Sequence, residues 1–148
     1  MTKSSFSLQT EYEIIKASEP LVSTFINNLV KGAHHFRYFN KRPVSAIQNH
    51  LLTIVVIDRT GCPIGYGHLE KGDGAIWLGI AVADNLTGKG IGRMIMHYLI
   101  DFAKGTNETS IWLSVDVDNH TAQKLYKSAG FEKIKELPEN MIFKFALK

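Results

Sequence analysis

Hydrophobic positions along the chain repeat with two periods, and the switch between them is sharpest at 75–103. Ile76 to Val82 is a run too short and too apolar for anything but a buried strand. Ile91, Met94, Ile95, Tyr98, Leu99 and Phe102 then recur at steps of three and four residues, which predicts an amphipathic helix. A glycine-rich turn joins the two, so the unit is strand, glycine loop, helix.

The same reading extends over the rest of the chain. Residues 10–17 predict a first strand, and Glu19-Pro20 opens a helix, because proline is tolerated in a first turn. Leu21, Val22, Phe25, Ile26, Leu29 and Val30 follow at helical spacing until Gly32. A short second helix is expected over 44–50. Residues 51–57 are rich in β-branched side chains and predict a strand. The chain turns at 59–63, returns antiparallel over 64–70, and turns again at 71–74 into the 75–82 strand, which makes a three-stranded meander. After the long helix ends at 104–107, residues 110–117 predict a strand parallel to 75–83, because a helix intervenes. A helix over 120–129 closes on Gly130, and 131–136 with 141–147 form a last strand pair.

Composition narrows the class. With 148 residues, 45% of them hydrophobic and 21% charged, the chain fits one domain with a real core. The net charge of +3 is scattered, so neither nucleic acid nor a membrane is expected as partner, while mild positive charge suits a polyanionic cofactor. The single cysteine, Cys62, forms no internal disulfide, and no apolar run reaches the ~18 residues of a membrane span. The first residues lack the apolar core of a secretory signal, so a cytoplasmic location is expected.

The glycine loop carries the first chemistry. The first NH groups of a helix have no partner within it, and the peptide dipoles place partial positive charge there. Gly88, Gly90 and Gly92 leave backbone NH groups uncovered, with Lys89 and Arg93 beside them, so 87–93 reads as a pyrophosphate cradle. A tight turn that needs glycine only for its dihedrals explains the glycines equally well. A dinucleotide fingerprint needs its third glycine at the sixth position, where Arg93 stands, and a triphosphatase loop needs Ser or Thr after Lys89, where Gly90 stands.

Val82 to Gly92 with Leu99 resembles the acyl-CoA signature of the GCN5-related N-acetyltransferases, or GNAT family. The family frame of Arg or Gln, two residues, Gly, one residue, Gly or Ala falls on Thr87 to Gly92, with Thr87 departing at its first position. Asp118-Asn119-His120-Thr121-Ala122-Gln123-Lys124-Leu125-Tyr126 to Gly130-Phe131 resembles the family's second motif, 27 residues on from Gly92 to Asn119.

The resemblance implies an α/β (α+β) fold, with a mixed, mostly antiparallel sheet of about seven strands and helices on both faces. It implies acetyl-CoA as acyl donor and a primary amine of a small molecule, amino sugar or peptide as acceptor, joined directly in a ternary complex. Ile80, Ala81 and Val82 would meet the pantetheine arm, and Thr87, Gly88, Lys89, Gly90, Ile91, Gly92 and Arg93 the pyrophosphate. Asn119 would add an amide contact beside its role as helix N-cap. Tyr126 is the candidate general acid for the leaving thiolate, with core packing as the competing explanation. Relatives often place a glutamate where this chain has Trp77, so the base is sought at His68 or Glu70, which share one face of their strand, with Asp84 a third candidate. His35, Arg37, Tyr38 and Phe39 are candidate acceptor contacts, with packing of the aromatic rings as the alternative. No metal is called for. The family often forms dimers, and no interface signature stands out here. A non-catalytic acyl-CoA sensor is the rival reading, given Trp77 and Thr87.

Overall fold

The computed structural model of the chain describes residues 11–29, 35–72, 74–83, 86 and 88–148. Seven strands form one sheet: β1 (Glu13–Lys16), β2 (Leu52–Ile57), β3 (Pro63–Gly72), β4 (Ala75–Val82), β5 (Ser110–Asp116), β6 (Glu132–Glu136) and β7 (Asn140–Ala146). Their order across the sheet is β1-β2-β3-β4-β5-β7-β6. All neighbours are antiparallel except β4 and β5. The helix between those two strands forces the parallel arrangement, as the periodicity implied.

That parallel contact is brief. β4 and β5 register only at Ile76 with Ile111 and Trp77 with Trp112. Both strands run on, to Val82 and Asp116, without pairing to each other. The sheet therefore opens as a wedge between its two halves, and everything functional below collects around that opening.

Helices cover both faces. On one face, α1 (Glu19–Asn28) is capped by Ser18, whose Oγ accepts from the Leu21 NH at 3.3 Å, and buries Val22 and Phe25. Two 3₁₀ turns, Tyr38–Asn40 and Val44–Asn49, follow it, the second where a short helix is expected. Phe36 and Phe39 pack on Tyr66 at ring centroid distances of 5.1 and 5.7 Å. Val30 and Gly32, the expected end of α1, lie outside the described residues.

On the other face lie α2 (Ile91–Lys104) and α3 (His120–Ala129). The buried stripe of α2 is Ile91, Ile95, Met96, Leu99, Ile100 and Ala103. Tyr98 and Phe102, expected on that stripe, are 45% and 41% exposed. The helix is apolar around more than half its girth, and contact with both the sheet and α3 selects the Met96 side over the Tyr98 side. Close approach is made possible by β3: a Cβ added at Gly67 would come within 2.6 Å of Ile95 Cγ2 and 3.1 Å of Leu99 Cδ1. Glycine inside a strand here marks the seat of a helix.

Candidate active site

A continuous groove of about 1480 Å³ runs through the wedge. Pockets for one drug-sized ligand are roughly 300–1,000 Å³, so this groove is larger than one such ligand needs.

Its first half is largely backbone. The free edge of β4 past Trp77 brings Ile80, Ala81 and Val82 to the groove wall, where the strand's outward NH and C=O groups have no β5 partner. Gly88 and Gly90 hold φ of +82° and +84°, the left-handed region that a side chain disfavours. Gly90 is the N-cap of α2 and makes no side-chain capping bond, so the helix end keeps its NH groups for a ligand. Gly88, Gly90, Gly92 and Arg93 all line the groove. Lys89 is exposed but does not line it, and the Ile91 side chain is fully buried in the core, so only its main chain can serve a cofactor. Thr87 and Asp84 lie outside the described residues.

Helix α3 closes this half from the other side. Asn119 caps it, its Oδ1 accepting from the Ala122 NH at 3.3 Å, and also lines the groove. Tyr126 sits one face over, its ring 5.9 Å from Phe131 and 6.4 Å from Phe143. Packing and groove access coexist: the residue is 6% exposed, lines the groove, and burial alone, with no hydrogen bond, sets its hydroxyl's environment. Burial pushes the phenol above its usual pKa, so it keeps its proton throughout the neutral range.

The second half is made of side chains, on the face that α1 covers. Glu70 and Trp77 are direct cross-strand partners and so share a face. A carboxylate therefore stands one strand over from Trp77, on the same face. The Tyr38 hydroxyl donates to Glu70 Oε1 at 3.0 Å and stands 2.7 Å from His50 Nε2. Burial, reinforced by Glu70, pushes the Tyr38 phenol up to about 12. His50 Nδ1 in turn meets Thr53 Oγ1 at 2.7 Å.

His68, the other base considered, is 3% exposed, and its Nδ1 is 2.6 Å from the hydroxyl of buried Tyr66. Its ring lies over Gly79, where a Cβ would fall 2.6 Å from Cε1. Burial, then repulsion from His50, holds its pKa well below the usual histidine value, so it stays neutral and is a weak base. The geometry favours Glu70.

The four expected acceptor contacts separate. Tyr38 faces the groove. Arg37 donates both terminal nitrogens to Asp116 at 2.8 Å, and His35 Nδ1 donates to the same carboxylate at 2.9 Å. These bonds, Arg37's foremost, depress the Asp116 pKa to about 2. They tie the segment after α1 to the end of β5, and both residues line the groove mouth. Phe39 is instead packed among Phe36, Tyr38 and Tyr66 and does not line the groove. Asp116, His50 and Thr53 were not singled out from the sequence; each matters through a partner brought near by folding, a signal no spacing carries.

Comparison with known proteins meets this geometry from outside. The acetyltransferase (GNAT) family model matches residues 17–131, and the chain belongs to that family. N-alpha-acetyltransferase RimI of Mycobacterium tuberculosis is 40% identical over 55 residues, 37% of this chain and 33% of the relative. A [ribosomal protein bS18]-alanine N-acetyltransferase of Salmonella typhimurium is 36% identical over 61 residues, 41% of each chain. The matched stretch therefore spans less than half the length of both relatives. Among solved structures, yncA of Salmonella typhimurium, solved with its cofactor acetyl-CoA, superposes with a TM-score of 0.76 at 18% identity, covering 93% of this chain and 95% of that one. This last likeness establishes the fold.

Proposed function

We propose that the 148 residues act as one N-acetyltransferase domain that moves an acetyl group from acetyl-CoA to a primary amine in a direct ternary complex. The observation that carries this reading is the single groove. It joins a backbone cradle at the α2 N-terminus to a carboxylate at Glu70, with Tyr126 on the donor side.

The steps follow from what an amine and a thioester need. Glu70 takes a proton from the acceptor amine, directly or through one water. The amine nitrogen bonds to the thioester carbon, and the carbon–sulfur bond then breaks. Tyr126 gives its proton to the departing thiolate, and the proton held by Glu70 returns through solvent to the phenolate. Cys62 takes no part: among the described residues its thiol meets only the Pro63 carbonyl, at 3.9 Å, with no histidine or carboxylate to activate the sulfur, so no acyl-enzyme is needed.

Both curated relatives bear names that specify α-amino acceptors, which makes a polypeptide N-terminus the first acceptor to try. An α-amine with pKa near 7.7–8.0 is already partly neutral at physiological pH, so one carboxylate is enough to deprotonate the rest. The test is thiol release from acetyl-CoA over a panel of N-terminal peptides, amino sugars and polyamines, with the product identified by mass. Acceptor-dependent release that Glu70→Gln suppresses supports the reading. Cofactor binding without turnover on any class would favour the sensor instead.

A further inference from the structure

His50, His68 and Glu70 each bring one donor atom to within 4.8 Å of the others. They come from the end of a 3₁₀ turn and from alternate positions of β3, and the wall they form is half-buried to buried. Two features make this more than a crowd of polar groups. First, each histidine has its Nδ1 committed to a hydroxyl, Thr53 for His50 at 2.7 Å and Tyr66 for His68 at 2.6 Å. Second, His68 uses only its Nδ1 in hydrogen bonding among the described residues, and its side chain lines the groove, which leaves Nε2 for a ligand there.

Histidine ligands to metals commonly present one ring nitrogen while the other is held by an outer oxygen, which fixes ring orientation and tautomer. Both rings have that arrangement here, and they lie 4.4 Å apart between centroids. Two imidazoles with one carboxylate and an open fourth position suit a zinc-class ion better than calcium or magnesium, which prefer all-oxygen shells.

We propose that His50 and His68, through Nε2, and Glu70, through its carboxylate, form a binding site for a divalent transition-metal ion of the zinc class. Tyr38 is the gate. Its hydroxyl now bridges His50 Nε2 and Glu70 Oε1, so an ion enters by displacing it from His50. Occupancy commits the Glu70 carboxylate to the metal, so the ion excludes the acceptor chemistry assigned to that residue. The binding claim itself stands apart from the acyl-transfer reading, since it is read from the metal.

The experiment is titration of the chelator-treated full chain with Zn²⁺ by calorimetry and with Co²⁺ by visible absorption. The expected result is one ion per chain, with Co²⁺ giving the intense ligand-field bands of a four- or five-coordinate site. His50→Gln and Glu70→Gln should each weaken binding by about 100-fold or more, and Thr53→Ala, which removes only the hydroxyl behind His50, by about tenfold. His97→Gln, on the exposed side of α2, should leave it unchanged. Thermal unfolding identifies any variant that fails to fold, and Thr53→Ala then carries the test. Absence of binding to the wild type overturns the proposal, as does affinity that survives every substitution in the cluster.

Discussion

The two halves of the groove are built by opposite means. The donor half is backbone: the unpaired edge of β4, two left-handed glycines and the start of α2, all within one continuous stretch of chain. The acceptor half is side chains gathered from the segment after α1, from a 3₁₀ turn and from β3, with Asp116 of β5 fastening them. A donor that is the same in every turnover can be met by main-chain geometry, which tolerates substitution at most positions. An acceptor must be chosen and deprotonated, and that needs particular side chains held in place by one another.

The largest effect should come from the acceptor half. Glu70→Gln keeps the shape and the Tyr38 contact but removes the base, so kcat should fall by about 10²–10⁴-fold while CoA affinity is unchanged. Steady-state kinetics with calorimetry separates the two, and a matched loss of CoA binding would erase the division between halves.

Gly90→Glu attacks the donor half. It places a side chain at φ +84° and a negative charge where phosphate is expected. Backbone strain of about 1–3 kcal/mol and charge repulsion together should weaken CoA by roughly 100-fold or more, measured by calorimetry. Tyr126→Phe should reduce kcat about tenfold to 100-fold, since a thiolate with a parent pKa near 8.5 already leaves well. Stability should hardly move, because no hydrogen bond perturbs the hydroxyl that is lost.

Two smaller tests address the frame that holds the halves apart. Gly67→Ala drives a methyl to 2.6 Å from Ile95 Cγ2 and should cost about 1–3 kcal/mol in denaturant unfolding. Asp116 ties the segment after α1 to β5 and has its pKa lowered to about 2, so its stabilising effect is complete above the unfolded value near 3.9 and is lost as pH falls through the folded one. Unfolding midpoints compared between pH 5 and pH 2 should show wild type losing an increment of stability that Asp116→Asn never had.

The difference in construction also explains what the chain disclosed before folding. Helix α3, the meander, the parallel step from β4 to β5 and the glycine turn into α2 follow from local period and spacing. The wedge does not, because it is a failure of pairing past Trp77 and no residue type encodes it. Glu70 and His68 were candidate bases with nothing in their spacing to rank them; only the fold shows His68 buried and bonded to Tyr66 while Glu70 is half-buried beside Tyr38. His50 lay inside an expected helix, and its role depends on Tyr38 and Thr53 arriving beside it. Phe39 and Tyr98 show the same limit, since an aromatic in an amphipathic stretch reveals its side only when the neighbouring layer is in place.

The central claim is that this groove holds acetyl-CoA, and thermal unfolding with acetyl-CoA, CoA, NADH and ATP tests it most directly. A ligand bound only by the folded state at 100 times its Kd adds about 2.7 kcal/mol, which at roughly 2–4 °C per kcal/mol is a rise of about 5–10 °C. The account predicts that rise with acetyl-CoA and CoA and little or none with NADH or ATP. No rise with either CoA species, or an equal rise with all four, would contradict it.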